Sequence, residues 1–213
     1  MGSKRIIETE AENHSCFLLF STTSSWLSRS IRWATRSEVS HVAIAFECST
    51  TSRVLVMEAA GDGFRGLTWE RWQQENELIR AFRIEVPTSQ WREGLGEFCD
   101  MLGSPYDTPR LFREAARHIS QGWTQRFAWA DPERNTKGVL CADAIADFLH
   151  RIGFTQYEHP LAWTPAKLLA NVDTQEAFAP MSTRVRTMPF KRISAPAIPP
   201  MSQPASHQLT VVG

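Results

Sequence analysis

Apolar positions recur along this chain with two periods, and the switches between them mark the elements. CFLLF (16–20) is a short unbroken apolar run that predicts a buried strand, followed by Ser and Thr residues able to cap a helix. In SWLSRSIRWATR, Trp26, Leu27, Ser30, Ile31, Trp33 and Ala34 recur at three- and four-residue steps, with Arg29, Arg32 and Arg36 largely outside the stripe. This predicts a helix packed on the domain by that stripe; the basic residues are too few to favour a membrane-surface helix.

SHVAIAFE (40–47) and VLVMEAA (54–60) are β-branched and apolar, with polar residues between them, and predict a hairpin. A four-residue loop at 48–51 would oppose Phe46 to Arg53, Ile44 to Leu55, Val42 to Met57 and His41 to Glu58. Because side chains alternate, His41, Ala43 and Ala45 share a face with Glu58, Val56 and Val54, and the other face is uniformly apolar. A polar pair among small residues suits the floor of a site with room for a second element.

GDGFRG (61–66) reads as a turn, LTWERWQQEN as a short helix and ELIRAFRIEV as a strand. SQWREGLGEFCDML reads as a helix with Trp91, Leu95, Phe98 and Leu102 inward and Cys99 as a core filler beside them. Thr108 and Pro109 open a further helix, TPRLFREAARHI. Residues 120–138 have no clean period and carry Trp123, Phe127 and Trp129, which pack on the body or line a groove. VLCADAIADFLHRIG is a helix ending at Gly153 with Cys141, Ile145, Phe148 and Ile152 inward, and TPAKLLANV is another.

The 213 residues, 42% hydrophobic, suffice for one domain with a real core, expected over 15–177 between an extension at 1–14 and a Pro-rich basic tail at 178–213. The tail has no acidic residue and carries Arg184, Arg186, Lys191 and Arg192. An extended segment of this kind suits a protein partner. Net charge is zero, which gives no argument for nucleic acid. Cys16, Cys48, Cys99 and Cys141 form no C-x-x-C pair or metal spacing, so no disulfide framework, metal or cofactor is expected. The N-terminus lacks the apolar run of a secretory signal and no stretch has the length of a membrane span; a cytoplasmic or assembly-associated protein is the expectation.

Cys141 opens its helix, where free amides and the helix dipole favour a thiolate and can hold an oxyanion. His41 is a candidate base, and Glu58 a carboxylate to fix its tautomer. Asp62 or a backbone carbonyl could orient the imidazole instead, and no spacing rule brings Cys141 to the pair. The other histidines have no matching carboxylate on a shared face and read as surface or loop residues.

Ser40-His41 and its strand, the strand ending in Glu58-Ala59, GSPYD (103–107), Cys141-Ala142-Asp143 at a helix start and Thr164-Pro165 before a helix are together similar to the permuted NlpC-like, or YiiX-like, cysteine hydrolases. The likeness runs in order over residues 15–172. It implies an α+β, circularly permuted papain-like fold, an antiparallel sheet packed against helices with the nucleophile at a helix N-terminus. It also implies catalytic roles for Cys141, His41 and Glu58 and a structural or groove-lining role for Tyr106 and Asp107, with Trp123 and Trp129 as further groove candidates. Many relatives read Cys-Ser-Glu where this chain has Cys-Ala-Asp, and a Gly-Asp pair that often precedes the first strand is missing.

The expected activity is hydrolysis of an amide bond, in a cell-wall peptide, through an acyl-enzyme. Two alternatives remain open. One is a thiol acyltransferase or esterase on a lipid or ester, similar to the lecithin:retinol acyltransferase branch, whose Asn-Cys-Glu-His-Phe signature is absent at 140–144. The other is a non-catalytic structural or binding component of an assembly such as a phage particle.

Overall fold

The computed structural model describes residues 13–48, 50–110, 138–157 and 163–181. The expected helix at 108–119 beyond its first turn, the excursion carrying Trp123, Phe127 and Trp129, and nearly all of both termini lie outside them.

Six strands, β1 (Asn13–Thr22), β2 (His41–Cys48), β3 (Arg53–Ala60), β4 (Gly63–Thr68), β5 (Glu77–Pro87) and β6 (Ala179–Pro180), form one antiparallel sheet of order β4-β3-β2-β1-β5-β6. Among the described residues, α1 (Trp26–Thr35), α2 (Trp69–Glu75), α3 (Thr88–Asp100), α4 (Cys141–Arg151) and α5 (Pro165–Val172) accompany it. The protein is thus α+β. Among the described residues no helix is long and apolar enough to cross a membrane.

The sheet has two unlike faces. Leu18, Phe20, Ile44, Phe46, Met57, Phe82 and Ile84 point to one side and pack with α3 and α4 into the larger core. There Trp91, Phe98 and Phe148 meet edge to face at centroid separations of 4.6–5.8 Å. Gly94 lets α3 approach α4, since a Cβ at this position would lie 2.7 Å from Ile152 Cγ2 and 2.9 Å from Phe148 Cε2. The other side is thin: Phe17, Leu19, Ala43, Ala45, Val56 and Ala81 are covered by the stacked Trp69 and Trp72 of α2. The element that fills the space above the small residues of β2 is therefore α2. The Cys141 helix packs on the apolar side.

Several expectations change. The hairpin loop has the expected four residues but begins one residue later, at 49–52, so Cys48 is the last residue of β2 rather than part of the loop. Thr51 donates its N–H to the Cys48 carbonyl at 3.2 Å, and Ser52 takes the left-handed conformation, φ 50°, that lets β3 begin at Arg53. The register accordingly slips by two: Ile44 faces Met57 and Phe46 faces Leu55. An even slip preserves the faces, so His41 and Glu58 remain on one side but are diagonal rather than directly opposed.

GDGFRG is a turn only at 61–62. From Gly63 the chain pairs with β3, and Arg65 lies directly opposite Glu58. Gly63 has φ 117°, and a Cβ there would lie 2.6 Å from the Ser104 carbonyl oxygen. Glycine is required, because 103–104 binds the outer edge of β4 through Phe64 N–H to Ser104 O and Gly103 N–H to Phe64 O.

α1 does not pack by its aromatic stripe: Trp26 is 61% and Trp33 71% exposed, and the buried residue is Ser28. Ser28 bonds the Thr22 and Ser40 hydroxyls and accepts the Thr23 N–H, a polar anchor that turns the tryptophans outward. Cys99 and Leu102 are exposed rather than core, because α3 meets α4 through Trp91, Gly94 and Phe98. β1 already pairs with β5 at Asn13, and His14, expected on the surface, stacks on Trp91 at 4.3 Å. At the other end Phe178 is buried and β6 pairs with β5, so folded structure continues past the compositional boundary at 178.

Candidate active site

The first residue of β2, the sixth of β3 and the first of α4 converge at one end of the sheet. His41 Nε2 lies 2.7 Å from Glu58 Oε2, and the Cys141 thiol is near enough to the same imidazole to bear on its protonation. His41 is 12% exposed and Glu58 1%. Cys141 is buried at the start of α4, where Leu140 occupies the N-cap position and no side chain caps the helix. The first amides of α4 are thus left without the side-chain acceptor that commonly occupies them.

A carboxylate this buried needs partners, and Glu58 has four hydrogen bonds. Oε2 takes the His41 ring and the Trp72 indole N–H at 2.8 Å; Oε1 takes Arg65 Nε at 3.0 Å and Nη2 at 2.7 Å. Burial alone would raise its pKa, but the His41 and Arg65 hydrogen bonds and charges outweigh it and hold the carboxyl down at about 2. Burial likewise opposes a charge on His41, yet Cys141 and Glu58 overcome it and push the imidazole up to about 10. These two partners favour the protonated form of the ring.

Arg65 extends the network outward. Its Nη2 also reaches Glu75 Oε2 at 2.7 Å and its Nη1 Asp62 Oδ2 at 2.9 Å, while Arg71 braces Glu75 from the next turn of α2. Asp62 therefore binds Arg65, and the partner His41 takes is Glu58. Sequence reasoning missed Arg65 and Trp72. The signal for Arg65 was present in its cross-strand position, hidden once 61–66 was read as a turn.

A cleft of about 140 Å³ opens over His41 and Glu58. One wall is the α1 region, through Thr23, Leu27 and Ile31; the other includes Ala60, Gly61 and Tyr106. Tyr106 is thus brought to the site. Asp107 is not on the cleft wall: it is buried beside it, where Oδ1 accepts the Arg110 N–H at 3.0 Å and its backbone N–H donates to Val139 O at 3.3 Å. Gly138 permits this approach, since a Cβ there would lie 2.7 Å from that of Asp107. Trp123 and Trp129 lie outside the described residues.

Asp143, the acidic residue in the first turn of α4, accepts the Trp163 N–H at 3.3 Å and pairs with Arg110. It ties the segment before α5 to the Cys141 end of the helix. Thr164 then caps α5 by accepting the Lys167 N–H at 3.2 Å, with Pro165 in the first turn. Among the described residues no group of three His, Cys, Asp or Glu side chains is placed to hold a metal ion.

No protein-family model matches the chain, and no curated protein matches it. Among solved structures, one similar chain is the metalloprotein YiiX of Escherichia coli O157:H7, with a TM-score of 0.44 and 18% identity over 67% of each chain.

Proposed function

We propose that this protein is a cysteine hydrolase of permuted papain-like architecture that cleaves an amide bond through an acyl-enzyme. The observation that carries the reading is the His41 imidazole, hydrogen-bonded to Glu58 on one side and facing Cys141 at an uncapped helix start on the other. The order of motifs, with the His strand ahead of the Cys helix, supports the permuted form.

With Nε2 committed to Glu58, Nδ1 is the nitrogen left for the thiol. The proton that Cys141 gives up resides on His41, and the thiolate attacks the substrate carbonyl carbon. A C–S bond forms, and the oxyanion is held by the Cys141 amide at the helix start. His41 then protonates the departing amine as the C–N bond breaks. Water attacks the acyl-enzyme with His41 taking its proton, the C–S bond breaks, and the carboxylic acid leaves.

Glu58 keeps the ring oriented and stabilises its charge in the steps where it carries the extra proton, and Arg65 and Trp72 keep Glu58 from turning away. A cell-wall peptide is the proposed amide substrate. A second reading, an acyl ester or thioester, uses the same steps with an alkoxide or thiolate leaving group; it is favoured by Leu27 and Ile31 on the cleft wall.

A panel of muropeptides and lipid esters, with wild type and Cys141→Ala, tests the proposal. Turnover of one class that disappears in the variant, with its thermal melt unchanged, is expected. Full activity of Cys141→Ala would overturn it.

A further inference from the structure

α1 combines features that neither the core nor the catalytic reading uses. At about 100° per residue, Trp26 and Trp33, seven residues apart, fall on one row of the helix, and that row lies opposite the buried Ser28. Both indoles therefore face solvent, in a molecule whose other described tryptophans are buried or half-buried. Arg29 is exposed about 40–60° around the helix from that row, and Arg36, also exposed, is the left-handed C-cap residue that ends the helix beyond Thr35.

Charge on this element has one sign. Between Trp26 and Arg36 there is no acidic residue, and among the described residues Arg29, Arg32 and Arg36 form no ion pair. The nearest carboxylate in sequence, Glu38, is directed to Arg80 at 3.8 Å. Arg65, Arg71 and Arg151 are paired with carboxylates, while Arg53 and Arg92, unpaired among the described residues, stand singly on other elements. A row of indoles flanked by unmatched guanidinium groups is suited to the headgroup layer of an anionic bilayer, where indole rings partition and arginines neutralise phosphates.

We infer that the outer face of α1 docks this protein on an anionic membrane surface. Leu27 and Ile31, which line the cleft, lie roughly 110–150° around the helix from the indole row, so the docked face and the cleft occupy different sides of α1. The short helix gives shallow, reversible attachment: α1 is ten residues long, and only its two indoles enter the interface. The inference is independent of the hydrolase reading, since it concerns side chains that touch neither Cys141 nor His41.

Co-sedimentation of the full chain with phosphatidylcholine vesicles, with and without one-third phosphatidylglycerol, tests it, alongside Trp26→Ser/Trp33→Ser and Arg29→Gln/Arg36→Gln. All four positions are exposed, and circular dichroism and thermal melts verify that the fold is kept. Wild type is expected on the anionic vesicles only, with binding lost at high salt. The tryptophan pair should weaken partitioning at least about tenfold and the arginine pair about ten- to thirtyfold. Failure of wild type to bind overturns the inference. So does binding that survives both double variants, which would assign it to another segment such as the basic 178–213 tail. Retention on an insoluble polysaccharide, lost in the tryptophan variant without any vesicle binding, would assign the face to a glycan instead.

Discussion

The two faces of the sheet are held by different physics. On the thick face, large apolar side chains of β1, β2, β3 and β5 interdigitate with α3 and α4, and stability comes from area removed from water. On the thin face, Ala43, Ala45, Val56 and Ala81 leave little apolar volume, and the centre is a carboxylate with four hydrogen bonds. The thick face should respond to changes of volume and the thin face to changes of charge. The candidate site lies where they meet, with Cys141 from the thick side and His41 and Glu58 from the thin.

The largest effect expected on the thin face follows loss of its charge. Glu58→Gln removes the buried counter-ion of His41 and leaves Arg65 only its outer partners Asp62 and Glu75, and should destabilise by about 3–5 kcal/mol in urea unfolding. On the thick face, Phe148→Ala should cost a similar 3–5 kcal/mol, but through a cavity and without dependence on pH. Equal pH dependence of the two variants would erase the distinction.

Overpacking sharpens it further. Gly94→Ala drives a methyl into Phe148 and Ile152 and should cost about 1–3 kcal/mol. Trp72→Phe keeps an aromatic ring but withdraws one hydrogen bond from Glu58 and leaves the pyrrole ring's volume unfilled, and about 1.5–3 kcal/mol is expected. Cys99→Ala, at an exposed position, should change stability by less than about 0.5 kcal/mol.

The pH profile has two arms with opposite signs. Glu58, lowered from 4.5 to about 2, contributes stability that is present above pH 4.5 and lost as pH falls through about 2. His41, raised from 6.5 to about 10, contributes stability that is complete below pH 6.5 and lost as pH rises through about 10. The thin face should therefore be most stable between pH 4.5 and 6.5. Urea titrations of His41→Gln should show a flattened alkaline arm.

Much of this architecture was legible in local patterns. The alternation in 40–47 and 54–60 separates the two faces correctly, and that separation survives a two-residue error in register because strand side chains repeat every two residues. Ser25 and Thr164 cap helices as their positions suggest. What was not legible depends on partners distant in sequence. The stripe on α1 predicts inward tryptophans, but three hydroxyls at Thr22, Ser28 and Ser40 set the helix's rotation, and periodicity cannot weigh such an anchor against an apolar row. Arg65 was obscured because two residues, rather than six, make its turn. Cys141 meets His41 only because α4 starts at the end of the sheet where β2 begins, a consequence of packing over the whole sheet.

The most direct test of the central claim is the rate of alkylation at each cysteine of the native protein by a haloacetamide at pH 6.5, mapped by mass spectrometry. Cys99 is exposed, Cys48 is partly exposed with its thiol pKa lowered by Thr51, and Cys16 is buried with its thiol pushed upward by burial. Cys141, although buried, should react fastest and lose that advantage in His41→Ala. Preferential labelling of Cys48 or Cys99, with Cys141 modified only after unfolding, would contradict the account.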